Sequence, residues 1–272
     1  MSRDLSRHLV LLLPLTILVG AFFLLPVARL ILVGASGEAG VAAYTAVVTT
    51  PRYFESFLNT ILLSAGVTLV TLAISTAAGL FLQRNSFPGR DLLVAFMTFP
   101  LAFPGVVVGF MVIMLAGRQG AIGGVTDALF GDRLVFAYSM AGLFMGYVYF
   151  SIPRVILTIM AAIEKLDPAL EEAARSLGAG PWSVLRDVVL PALMPAFLAS
   201  GAVCFATAMG AFGTAFTLAT DIDVLPMTIY TEFVLYANFA TAAALSIVLG
   251  AMTWLVLALS RSLAGSTVAA AG

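Results

Sequence analysis

Six stretches of this chain run for about twenty residues or more without a single charged side chain, enough as helix to cross a bilayer core of about 30 Å. They are Leu9–Ala28, Phe57–Leu82, Leu92–Ala116, Leu134–Pro153, Leu190–Ala219 and Phe233–Ser260. Gly, Pro and charged residues punctuate the breaks between them. The pattern predicts an all-α integral membrane protein with six transmembrane helices, read as a single transmembrane domain over residues 1–272. The first run, after Arg3 and Arg7, is too long for a signal-peptide core, and no convincing small-x-small cleavage site follows it, so it reads as a span.

Composition agrees: 61% of the 272 residues are hydrophobic and 10% are charged, too few to clothe an aqueous surface. A net charge of −1 gives no footprint for nucleic acid. One cysteine, Cys204, excludes an internal disulfide and a thiolate metal cluster. One histidine, His8, leaves little material for a metal centre or a Ser–His pair, and no metal site is expected. Catalytic residues are expected to be absent for the same reason, which disfavours a membrane-embedded enzyme.

Six crossings put both termini on one side. With that side inside, the inner segments hold Arg3, Arg7, Arg84, Arg90, Arg154, Lys165, Arg175, Arg186 and Arg261, nine in all, and the outer ones hold four, Arg29, Arg52, Arg118 and Arg133. Nine against four satisfies the positive-inside rule and places both termini in the cytoplasm. Asp221, Asp223 and Glu232 give the last outer segment an acidic character, read as a solvated loop.

The inner segment 164–191 is no passive linker. Asp167 is placed to cap a helix, Pro168 suits its first position, and Glu171 and Glu172 lie in the opening turn, where the helix dipole favours negative charge. Arg175 is four residues after Glu171 and three after Glu172, within reach of either. Gly178 then ends the helix, and Gly180 and Pro181 begin another. Leu170, Ala173, Ala174 and Leu177 form an apolar stripe that wants a lipid, intrachain or partner surface.

Glu172-Ala173-Ala174, three residues, Gly178, nine residues, then Val188-Val189-Leu190-Pro191 resembles the EAA motif of ABC-importer permeases, with Val188 replacing the usual isoleucine. Leu58-Asn59-Thr60, the Ser176 to Trp182 stretch and Gly210-Ala-Phe-Gly213 are similar to the polyamine (spermidine/putrescine) branch of type I importers. The resemblance spans about residues 55–260. It implies an inner-membrane subunit of a bacterial cell that forms half of a translocation pathway. The other half would come from a second copy or a paralogue, substrate from an external binding protein, and energy from a cytoplasmic ATPase dimer. Glu171, Glu172, Ala173, Ala174, Arg175, Gly178, Leu190 and Pro191 would form the coupling segment that docks on that ATPase, with Glu172 ion-pairing to it.

No phosphate loop of the form G-x4-G-K-[ST] exists here, since the only lysine, Lys165, follows Glu164. ATP and Mg are therefore expected on the partner and no cofactor on this chain. A gradient-driven secondary carrier or channel is the alternative, disfavoured because the six runs hold no carboxylate. Tyr147, Tyr149, Met209, Phe212 and Thr214 are the candidates for lining the path, and Gly105-x3-Gly109 and Gly142-x3-Gly146 for close helix packing. Pro100, Pro104, Pro153, Pro191 and Pro195 mark expected kinks. The resemblance suggests a small charged organic solute such as a polyamine, an opine or an aminoalkylphosphonate.

Overall fold

A computed structural model describes residues 12–37, 39–218 and 222–264, and within them every regular element is helical. Leu9 to Leu11, Arg3, Arg7, His8, Ala219 and Asp221 lie outside the described residues. In chain order the main helices are α1 (Leu12–Gly34), α2 (Pro51–Arg84), α3 (Arg90–Thr98), α4 (Gly105–Ala116), α5 (Ala121–Phe130) and α6 (Met140–Glu164). There follow α7 (Pro168–Ser176), α8 (Pro181–Ala192), α9 (Met194–Met209), α10 (Gly213–Leu218), α11 (Leu225–Leu235) and α12 (Phe239–Ala264).

Five stretches among the described residues are long and apolar enough to cross a membrane: Leu12–Gly34, Pro51–Arg84, Gly105–Phe130, Met140–Glu164 and Phe239–Leu263. A sixth arises if α8 and α9, which meet at a 63° bend, count as one span. Against the six expected spans the described residues thus give five, or six with the bent pair, with boundaries that differ in ways physical chemistry explains. α2 begins six residues before its apolar run, taking in Arg52 and Glu55. The run Leu92–Ala116 is two helices, because Phe103 and Pro104 are extended and α4 starts only at Gly105. The residue before a proline is pushed out of the helical region, and Phe103 obeys that rule. The run Leu190–Ala219 is also broken, at Leu193 between Pro191 and Pro195 and again at Gly210–Phe212.

Pro153 breaks nothing. α6 runs through it for eleven residues more, so the expected end of span four before Arg154 is corrected. Pro153 is buried, and neighbouring helices and local adjustment accommodate the carbonyl it leaves unpaired. α1 likewise continues past Arg29, and the final helix starts at Phe239 rather than Phe233.

The chain divides into two compact units, one of residues Met1–Phe57 and Thr228–Ala251 and the other of Leu58–Met227 and Met252–Gly272. In the first, Ala43, Val47, Ala243 and Leu245 are buried, and Gly34 lets α1 approach the α12 backbone: a Cβ there would lie 3.1 Å from the Ala244 nitrogen. The first unit also holds Glu232, which is 3% exposed. Its carboxylate meets the Arg52 guanidinium at 3.6 Å and accepts from the Asn238 side-chain amide at 3.3 Å. The expectation of a solvated acidic loop is corrected at this residue, while Asp223 is exposed as expected.

The second unit has its core between α2, α6, α8 and α9, with Val67, Leu143, Val155, Ile159, Val184 and Leu193 at its centre. Small residues set the spacing. Thr214 donates to the Gly105 carbonyl at 2.9 Å, and Cβ atoms at Gly105 and Gly146 would press on Thr214 at 3.2 and 3.0 Å. Gly105, Gly109 and Gly146 therefore serve helix packing, as apolar interfaces in lipid require close backbones, whereas Gly142 lies against the Phe136 and Ala137 carbonyls of the preceding loop.

Candidate functional site

The segment between α6 and α9 is built as the residues dictate. Asp167 caps α7, its Oδ1 accepting from the Ala169 N–H at 2.9 Å, and Pro168 occupies the first position. At the other end the Ala179 N–H donates to the Ala174 carbonyl at 3.1 Å while Gly178 turns left-handed at φ +86°. That is a Schellman ending, which needs a residue without a Cβ at the turn. α8 starts at Pro181 two residues later and carries Leu190 and Pro191 to the bend.

Glu171 and Glu172, neighbours in sequence, point to different tasks. Glu171 is folded inward: it accepts from Arg175 at 3.2 Å, one turn on, and from Arg84 at the end of α2. Arg84 fastens α7 to α2, while Arg175 braces Glu171 from within α7. Glu172 and Ala173 are exposed, and Ala174 packs against the core. Of the apolar stripe only Ala174 finds a surface within the chain; Leu177 is 88% exposed and Trp182, at the start of α8, 69%. A cleft of about 370 Å³ runs beside α7, lined by Gln83, Arg84, Glu164, Glu171, Glu172 and Arg175 together with the apolar Ile163, Leu166 and Pro168. All the predicted coupling residues except Leu190 and Pro191 therefore gather on or beside one short helix.

The expected path residues divide. Tyr147 donates its hydroxyl to the Ala211 carbonyl, and with Thr214 it lines a cleft of about 230 Å³ between α6, α9 and the broken stretch after it. Met209 is buried and outside that lining, Tyr149 is exposed elsewhere on α6, and Phe212 packs on Phe216 at 5.2 Å between ring centroids. Ser151, Phe150 and Thr207 line the cleft and were not anticipated. Arg154, expected at a span end, instead sits within α6, where its Nη1 donates to the Thr207 hydroxyl oxygen at 3.0 Å. A spacing of four, three and four through Tyr147, Ser151, Arg154 and Thr158 could have disclosed this polar face in the sequence.

A set of membrane-length apolar helices interrupted by a capped, tethered, solvent-facing helix is the build of a transport permease. Comparison with known proteins defines which: residues 69–266 match the family of binding-protein-dependent transport system inner membrane components, and the chain belongs to it. A Salmonella typhimurium protein, PhnU, provisionally assigned as a 2-aminoethylphosphonate transport system permease, is 31% identical over 253 residues, covering 91% of this chain and 88% of its own. The molybdenum transport system permease ModB of Escherichia coli is 34% identical over 75% of this chain and 92% of its own. The sulfate permease CysT of Escherichia coli is 30% identical over 80% and 79%. Among solved structures, a bacterial alginate ABC transporter chain superposes with a TM-score of 0.83 at 18% identity, covering 97% of both chains. The MetNI methionine transporter gives 0.60 at 15% identity over 79% of this chain and 95% of the other.

The protein is thus the permease subunit of an ABC importer, a multi-pass inner-membrane transport component and not an enzyme. The named relatives serve a phosphonate, molybdenum and sulfate, and none of these three carries a polyamine name.

Proposed function

We propose that this chain forms half of the translocation pathway of an importer, completed by a second permease copy or paralogue. In this reading residues 164–191 couple it to a cytoplasmic ATPase dimer that carries ATP and Mg, and an external binding protein delivers substrate. Both termini lie in the cytoplasm, on the side of Arg84, Arg90, Lys165, Arg175 and Arg186. One observation carries the reading: α7 is pinned by Glu171 to Arg84 of α2 while Glu172, Ala173, Leu177 and Trp182 are left exposed. A carboxylate beside a methyl-sized residue makes a narrow knob, and exposed Leu177 and Trp182 supply apolar area around it. A groove on a partner protein satisfies both, and the exposed small knob gives lipid little to hold.

The substrate is a small solute carrying an oxyanion group, of the aminoalkylphosphonate kind rather than a polyamine. Similarity to permeases named for a phosphonate and for sulfate supports this, as does an arginine within α6. Purification with the neighbouring ATPase and reconstitution with the cognate binding protein tests both parts. ATP hydrolysis should rise only with loaded binding protein, and uptake should require ATP. Uptake by the chain alone, driven by an ion gradient and indifferent to ATP, would overturn the reading in favour of a secondary carrier.

A further inference from the structure

We propose that Arg154 is a waypoint for the substrate's oxyanion group inside the translocation path, with Thr207 and Phe150 holding it in place. The proposal rests on the reading of α6 and α9 as pathway helices. Arg154 lies near the middle of the 25-residue α6, roughly 15 Å along the axis from its Glu164 end at 1.5 Å per residue. Among the described residues no carboxylate pairs with it. An arginine at such depth is expensive against hydrocarbon and persists where it faces water, protein or a ligand.

Its neighbours orient it without neutralising it. Nη1 donates to Thr207 Oγ1 at 3.0 Å, and Thr207 in turn donates to the Val203 carbonyl at 2.8 Å, which fixes the direction of the acceptor. The guanidinium lies over the Phe150 ring, 6.0 Å from its centroid. Two contacts thus hold a planar fork whose remaining N–H groups are donors, the geometry that matches a phosphonate, sulfate or carboxylate.

The surroundings form a path and not an isolated spot. On α6, Tyr147, Ser151, Arg154 and Thr158 follow one another at helical spacing, while Ser200 and Thr207 lie seven residues apart on α9 and Thr214 lies on α10 beyond the break at Gly210–Phe212. The polar seam of α6 and these hydroxyls of α9 and α10 lie on helices packed together. The cleft of about 230 Å³ that contains Tyr147, Ser151, Thr207 and Thr214 lies next to the Arg154–Thr207 pair along that seam. Thr158, exposed one turn from Arg154, continues the α6 seam toward Glu164.

A thiol beside Arg154 reads the local field. The assembled importer is taken in a maltoside detergent free of phosphate, with C204A removing the native thiol and T158C supplying the probe. An anionic sulfonatoethyl and a cationic trimethylammonioethyl methanethiosulfonate are compared. With Arg154 present the ratio of anionic to cationic reaction rates should exceed that of a free thiol by about tenfold or more, as a unit charge within several ångströms dictates. R154Q should abolish the preference, R154K should keep it, and inorganic phosphate should slow the anionic reagent only when Arg154 is present. A ratio unchanged by R154Q, or a thiol inert to both reagents, would overturn the proposal. Shielding by added phosphatidylglycerol with no effect of inorganic phosphate would do the same, assigning the arginine to a lipid headgroup. Failure of the transport reading would show separately, as absence of binding-protein-dependent uptake by the unsubstituted importer.

Discussion

Replacing Gly178 tests how the coupling segment is shaped, and the structure allows the size of the effect to be worked out. A Cβ placed at Gly178 meets nothing within 4 Å, so crowding contributes nothing to the effect of a substitution. What remains is the backbone, held at φ +86° so that the Ala179 N–H can reach the Ala174 carbonyl. An L-residue in that region costs about 1–2 kcal/mol. A change of that size shifts a two-state balance by a factor of roughly 5–30. G178A should therefore insert normally and reach the membrane in normal amount, while binding-protein-stimulated ATP hydrolysis and uptake fall several-fold. G178N should fall between the two, because asparagine tolerates the left-handed region better than alanine does. The assay is uptake by the reconstituted importer normalised to membrane abundance. Full uptake by G178A, or equal damage from G178A and G178N, would refute the backbone argument.

Three further outcomes follow from the packing. E232Q should lower thermal stability in detergent by about 1–3 kcal/mol, since it weakens the acceptor for Arg52 and Asn238 at a buried position; R52Q should cost at least as much, because it leaves the buried Glu232 carboxylate without its counter-ion. A smaller loss from R52Q than from E232Q in a thermal unfolding series would contradict the burial argument. G109A places a Cβ 2.6 Å from the Thr217 Cβ, and should cost about 1–3 kcal/mol by overpacking α4 against α10, read as a lowered melting temperature against G124A, where a Cβ meets nothing within 4 Å. R84Q and E171Q should each weaken the α7 tether by about 0.2–1 kcal/mol, as partly exposed ion pairs do, and the double variant should be no worse than E171Q alone in an uptake assay. Additive losses would mean that the two residues act independently.

Much of this fold was legible because lipid leaves the chain few choices. A run free of charge and long enough to span has to be helical, and the six runs all contain or form helices. The α7 ends were legible too, since Asp167, Pro168 and Gly178 each supply a group that a helix end lacks. What the sequence hid was the outcome of competition. Pro153 and Pro104 look alike on paper, yet the helix passes through the first and stops at the second. At Pro104 the next helix begins with the Gly105 carbonyl held by Thr214 of α10, while Pro153 is enclosed by packed neighbours. Arg154 was misplaced because charge was taken as the end of a span, when its partner Thr207 lies on another helix. Glu232 was read as solvated because Arg52, its counter-ion, stands far away in sequence. Glu171 and Glu172 were indistinguishable by spacing, and only Arg84 separates the tether from the exposed knob.

The central claim, that α7 is where this permease meets its ATPase, is best tested by chemical proximity during transport. A173C in a C204A background places one thiol on the exposed face of α7, and a short bifunctional reagent is applied to the reconstituted importer while substrate uptake is followed. The expected result is a cross-link between this chain and the ATPase subunit, with uptake falling in step with cross-linking. Uptake that proceeds at the normal rate with no cross-link to the ATPase from A173C would contradict it.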